Sequence, residues 1–130
     1  MSNLAFLKEV TNSNIEISPH SQIKTHYDEK NKAGWLLMKG EPRPSFTPIL
    51  LKDISNYFDN VKKEMDNSNG EKYDYLISGS DVEGVFNLGG DLNLFLQYIT
   101  SRDRKGLIDY AINSIDLVYR NFIHLNADLT

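Results

Sequence analysis

The stretch from residue 35 to residue 78 constrains the fold more than any other. Trp35-Leu36-Leu37-Met38 is an apolar run without alternation, as in a strand covered on both faces. Gly40-Glu41-Pro42-Arg43-Pro44 ends it, because two prolines this close cannot sit in a central ladder. Thr47-Pro48 follows, an N-cap residue ahead of a proline at the first helical position. Ile49, Leu50, Ile54, Tyr57, Phe58, Val61 and Met65 then recur at helical spacing, and Asp66-Asn67-Ser68-Asn69-Gly70 stops the helix. Tyr73-Asp74-Tyr75-Leu76-Ile77-Ser78 reads as a second strand. Strand, helix and strand of these lengths make a βαβ unit with parallel strands and a right-handed crossover.

The flanks fit around that unit. Residues 22–28 alternate, with Ile23, Thr25 and Tyr27 against Lys24 and His26, and predict a half-buried strand. Glu29-Lys30-Asn31-Lys32-Ala33-Gly34 is its hairpin connection to the apolar run. Thr11, Asn12, Ser13 and Asn14 are turn formers, so residues 1–14 read as a flexible N-terminus, and Ile15 and Ile17 open a short strand. After residue 78 comes a glycine-rich stretch ending at Gly89-Gly90-Asp91, where Asp91 caps a helix over 92–98. A last helix runs from about Arg104 to about His124. Its apolar positions are Leu107, Ile108, Ala111, Ile112, Ile115, Val118, Tyr119, Phe122 and Ile123. Residues 15–130 therefore make one α/β unit.

Composition narrows the partners. Fourteen Lys and Arg against eighteen Asp and Glu give a net charge of −4. The basic residues are scattered among acids, which argues against a nucleic-acid backbone or a polybasic membrane anchor. No run of about 20 apolar residues predicts a bilayer span, and the first ten residues do not resemble a signal peptide. Cysteine is absent, which excludes disulfides, thiolate zinc sites and a thiol nucleophile, and fits a cytoplasmic location.

Chemistry points to the glycine-rich stretch. Glycines let a backbone approach a ligand closely, and the unsatisfied amides at a helix start suit an anion or a developing oxyanion. On the local pattern alone a plain tight turn at Gly89 and Gly90 is the simpler explanation. Gly79 and Gly84 have P-loop spacing, but Val85 and Phe86 stand where lysine and serine or threonine belong, which excludes that motif. No G-x-G-x-x-G or G-x-S-x-G occurs, so Ser80 has no nucleophile-elbow context. His20, His26 and His124 show no metal-ligand spacing, and no metal site is predicted. Asp81 and Glu83 have no partner acid at a defensible spacing.

Val85-Phe86-Asn87-Leu88-Gly89-Gly90-Asp91-Leu92-Asn93-Leu94-Phe95 resembles the first active-site loop of the crotonase (enoyl-CoA hydratase/isomerase) superfamily, which reads F-x-x-G-x-D-[LI]. Within it the stretch is most similar to the diffusible-signal-factor synthases, with F-N-L-G-G-D-L before a Leu-x-Leu-Phe helix. The likeness is specific from residue 85 to 122 and collinear from Trp35 onward. It implies the N-terminal portion of a ββα spiral and a substrate carried as a thioester on coenzyme A or acyl carrier protein, with no further cofactor. It implies that the N–H of Leu88 is the first oxyanion donor and that Gly89 and Gly90 allow close approach. Phe86 would line the acyl side with Asn87 beside it, and Asp91 would anchor the loop. Arg43 would meet the carrier's phosphates.

The second oxyanion donor of such enzymes lies in an A-L-G-G-G-type turn followed by catalytic glutamates, and neither has a match in these 130 residues. The chain thus reads as the N-terminal half of the domain, with a complementing C-terminal half and a trimer-type homo-oligomer implied by the resemblance. Two functions follow. One is a hydratase/dehydratase and thioesterase that converts 3-hydroxyacyl thioesters into a cis-2-unsaturated fatty acid signal. The other is a non-catalytic acyl-thioester-binding or interaction module, or an inactive fragment.

Overall fold

The computed structural model describes residues 21–129. The expected flexible N-terminus over 1–14, the expected strand start at Ile15 and Ile17, and His20 lie outside the described residues. In chain order the elements are β1 (Ile23–Asp28), β2 (Ala33–Met38), α1 (Pro48–Asn67), β3 (Tyr75–Ser80), α2 (Leu92–Thr100) and α3 (Arg104–Phe122), then a 3-10 helix over His124–Asn126. The sheet order is β1-β2-β3. β1 runs antiparallel to β2, and β3 parallel to it, with Leu36 opposite both Thr25 and Ser78. The βαβ reading is therefore correct, and β2 is buried along nearly its whole length on both faces.

Boundaries shift in informative ways. β2 begins two residues before the apolar run, because Lys32 takes a left-handed φ of 48° and shortens the turn. β3 lies two residues later than the aromatic stretch implied. The reason is that Tyr73 turns inward between β1 and α1 and is not part of the ladder. Thr47 caps α1 as expected, its hydroxyl accepting the Leu50 N–H at 3.2 Å. Leu50, Leu51, Ile54, Phe58, Val61 and Met65 are buried against the sheet, whereas Ile49 faces out. The apolar face of α1 thus begins one residue later than the spacing predicts.

α3 is the main surprise. Its buried residues are Tyr110 and Leu117, neither of which belongs to the predicted apolar stripe. Arg120 ties this inner side to α1, donating to Ser55 Oγ at 2.9 Å and to Asp59 Oδ1 at 2.6 Å. Ile108, Ile112, Ile115, Val118, Tyr119 and Phe122 lie on the opposite side and are exposed. Residues two positions apart on a helix point about 200° away from one another, so burying Tyr110 turns Ile108 and Ile112 outward. The stripe is real, but nothing among the described residues covers it.

At the β1 start-of-turn end of the sheet, Tyr27, Tyr57 and Tyr73 gather around Lys72 and Glu64, bordering a cavity of about 370 Å³. Tyr73 donates to Glu64, and Tyr27 donates to the Lys72 carbonyl at 2.6 Å. Burial pushes the Tyr57 and Tyr73 hydroxyls well above the ordinary tyrosine range. At Tyr73 the hydrogen bond to Glu64 acts in the same direction. An acid that holds its proton more tightly when folded contributes stability below its unfolded pKa, about 10 for tyrosine, and loses it as the pH climbs further. We expect a cooperative alkaline unfolding in which Tyr57 and Tyr73 ionise together with loss of secondary structure, followed by tyrosinate absorbance and circular dichroism. If all seven tyrosines ionised in one step with the dichroism intact, this cluster would not be packed as described.

Candidate functional site

Parallel pairing brings the ends of β2 and β3 to the same place, and the Asp81 N–H donates to the Met38 carbonyl at 2.9 Å. The glycine-rich loop leaves from there. It meets the strap of residues 43–47 that runs from β2 into α1. The Phe46 N–H donates to the Gly89 carbonyl at 2.8 Å, and Phe46 and Gly90 form an isolated parallel bridge. Gly89 sits at φ 88°, in the left-handed region open to glycine at little cost, which turns the loop toward the strap. A Cβ at Gly90 would lie 3.0 Å from the Phe95 ring, so glycine there allows the loop to settle on α2.

Asp91 closes the loop. It is 5% exposed, and its carboxylate caps α2 by accepting the Leu94 N–H at 3.4 Å and pairs with Arg43 at 3.2 Å. The Asp91 N–H donates to the Tyr110 hydroxyl at 3.1 Å, and that hydroxyl in turn donates to the Phe46 carbonyl. The Tyr110 ring meets Phe95 edge to face at 5.4 Å. Strap, loop and two helices therefore converge on one point.

The structure gives the Leu88 amide a partner within the chain. Its N–H is not presented to an open cleft but donates to the Pro44 carbonyl at 2.7 Å. The cause is the Phe46–Gly90 bridge, which lays the loop alongside the strap and aims this amide back at it. Of the four amides from Leu88 to Asp91, three are engaged, since Gly89 donates to Asn87 Oδ1 at 2.7 Å. The Gly90 N–H has no partner among the described residues. Asn87 thus shapes the loop from within, as an Asx turn does. The Leu88 side chain is 67% exposed.

Phe86, 59% exposed, borders an apolar cavity of about 220 Å³ with Leu36, Met38, Phe46, Phe58 and Leu117. Arg43, Ser45, Leu88, Gly90, Asp91 and Phe95 line another cavity of about 350 Å³. Arg43 spends its charge on Asp91 there. His26 is half-buried opposite Trp35, and His124 lies beyond α3 at φ 52°. Among the described residues no group of three His, Cys, Asp or Glu is placed to hold a metal ion. Pro44, Phe46 and Tyr110 escaped the sequence reading. The first two act through backbone groups, and Tyr110 falls between the apolar stripe positions of its helix.

This arrangement of an antiparallel strand pair, a parallel third strand reached through α1, and a glycine loop leading into two helices is the N-terminal portion of a crotonase-type ββα fold. The chain matches an enoyl-CoA hydratase from Shewanella pealeana with a TM-score of 0.60 and 11% identity, over 92% of this chain and 38% of that one. It matches Pseudomonas aeruginosa DspI with a TM-score of 0.56 and 12% identity, over 81% of this chain and 38% of DspI. The chain thus spans under two fifths of the length of these solved structures. No protein-family model matches it, and no curated protein matches it by sequence. No described helix is long and apolar enough to cross a membrane.

Asp91 provides a test of the loop geometry. Replacement by asparagine keeps a capping oxygen and loses the charge paired with the half-exposed Arg43, a contact worth under about 1 kcal/mol. Replacement by alanine also removes the cap, which costs about 0.5–2 kcal/mol. Urea denaturation is expected to rank the chains wild type, Asp91→Asn, Asp91→Ala in falling stability. Equal stability of all three would contradict the cap.

Proposed function

We propose that this chain is the acyl-thioester-holding portion of a crotonase-type enzyme of the hydratase/dehydratase class. The single observation behind this reading is the placement of Phe86-Asn87-Leu88-Gly89-Gly90-Asp91 at the shared end of β2 and β3. There it is fastened to the strap through Phe46 and Gly90. The proposed substrate is a 3-hydroxyacyl thioester on coenzyme A or acyl carrier protein, and the product class a cis-2-unsaturated fatty acid. Its alkyl part would enter the apolar cavity beside Phe86, and Arg43, paired with Asp91, would meet the phosphates of the carrier.

The Leu88–Pro44 hydrogen bond has a definite consequence for this reading. An incoming thioester carbonyl must replace the Pro44 carbonyl as acceptor. Exchanging one neutral carbonyl for another costs little net, because an intramolecular hydrogen bond of this kind contributes only about 0.5–1.5 kcal/mol. The strap must shift for the exchange to occur. The same bond favours a second reading, a non-catalytic thioester-binding module, in which the amide stays on Pro44 and the acyl chain alone is held. Neither reading gives these 130 residues a second oxyanion donor or a glutamate pair, so catalysis requires groups that they do not contain.

The test uses a 3-hydroxyacyl-pantetheine thioester labelled with ¹³C at the carbonyl. We expect saturable binding, a downfield carbonyl shift, movement of the Leu88 amide resonance, and no turnover by this chain alone. Phe86→Ala is expected to weaken binding by roughly fivefold or more, from lost apolar burial of about 1 kcal/mol or above. Binding with an unshifted carbonyl would favour the module. The absence of binding would overturn both readings.

A further inference from the structure

We propose that Tyr110 is a positioning residue that sets the register of the glycine loop, acting as a latch between strap, loop and α3. The inference concerns the arrangement of the site named above. Its ligand-binding arm rests on the thioester reading, and its structural arm does not.

The geometry that points to it is local. Tyr110 is 5% exposed and lies on the inner side of α3, the side that the helix's apolar stripe leaves free. Its hydroxyl uses both of its capacities at once, donating to the Phe46 carbonyl on the strap and accepting the Asp91 N–H of the loop. A hydroxyl is the only part of a tyrosine able to do both. Phe46 and Gly90 stand bridged to each other, and Leu88 is bonded to Pro44 two residues away on each segment. The single oxygen therefore fixes the spacing of two segments whose register decides where the Leu88 and Gly90 amides point. The Phe95 ring holds the Tyr110 ring from the side, edge to face, and Gly90 packs beneath Phe95.

Removing the hydroxyl leaves two polar groups, the Phe46 carbonyl and the Asp91 N–H, without their buried partner, while the ring and its packing remain. The strap and loop lose their common anchor. They then keep only their direct hydrogen bonds, Phe46 N–H to the Gly89 carbonyl and Leu88 N–H to the Pro44 carbonyl, and the Leu88 amide is held less firmly in one direction. Arg43 and Asp91 do not replace this function. Their ion pair joins a half-exposed side chain to a buried one and leaves the backbone register unset.

The experiment compares the wild type, Tyr110→Phe and Phe95→Leu in two measurements. The first is residue-resolved amide hydrogen exchange. Tyr110→Phe should speed exchange at Leu88 and Asp91 by about tenfold or more, while Phe58 and Val61 in α1, which report global stability, change by less than about threefold. Phe95→Leu, which keeps the hydroxyl, should leave Leu88 within about threefold of the wild type. The second measurement is the carbonyl ¹³C shift of the labelled 3-hydroxyacyl-pantetheine thioester, which Tyr110→Phe should reduce by at least half at saturation. A general loss of stability would move Phe58, Val61 and Leu88 together without selecting the loop, and would overturn the latch. So would unchanged exchange at Leu88 with an unchanged carbonyl shift. If the wild type binds with its carbonyl unshifted, the module reading is favoured, and if it does not bind, the thioester reading falls; in both cases selective acceleration at Leu88 and Asp91 still supports the latch on its own.

Discussion

Everything near the glycine loop depends on the pairing of two short backbone segments that belong to no regular strand. Residues 44–46 and 88–90 exchange hydrogen bonds across the Phe46–Gly90 bridge, and this contact decides which loop amides are spent and which is left open. It explains why Gly89 adopts a left-handed φ, why Asn87 folds back on the Gly89 amide, and why Asp91 reaches the start of α2 with its carboxylate buried. A buried carboxylate is costly unless it is hydrogen-bonded and paired. Here a helix-start amide and the Arg43 guanidinium share that task, with the positive end of the α2 dipole favouring the same charge.

The same contact sets the terms of any chemistry. An oxyanion site works when its donors are aimed, before reaction, at the place where charge develops. In this arrangement the Leu88 donor is aimed at the chain's own Pro44 carbonyl. The fold thus holds the donor in a satisfied state, and use of the site means exchange of one acceptor for another. That is a mechanical requirement on the strap, and it makes the segment between β2 and α1 as much a part of the site as the glycines.

The hydrophobic pattern made much of the architecture legible. The unbroken run at residues 35–38, the Thr47-Pro48 cap and the α1 periodicity led directly to β2, α1 and a parallel β3. Tyr73 misled the strand boundary because an aromatic residue just before a strand and one inside it look alike in sequence. α3 was legible as a helix and illegible in orientation. Its apolar stripe outweighs Tyr110 and Leu117, yet the fold buries those two, Tyr110 through Phe95, Phe46 and Asp91 and Leu117 on the α1 side, aided by Arg120. The direction of the Leu88 amide was beyond reach for a different reason. Backbone amides carry no sequence signature, and their aim is fixed by a partner segment some forty residues away in the chain.

The exposed stripe on α3 and the unpaired outer edge of β3 among the described residues fit a chain that spans only part of the length of its structural neighbours. The strap-to-loop contact, by contrast, is complete within the chain and is the claim on which the rest stands. It is measured most directly by scalar coupling across the hydrogen bond in a uniformly ¹⁵N,¹³C-labelled sample. The account predicts a cross-peak linking the Leu88 amide nitrogen to the Pro44 carbonyl carbon. No such peak, with the Leu88 amide exchanging at the rate of an open loop, would contradict it.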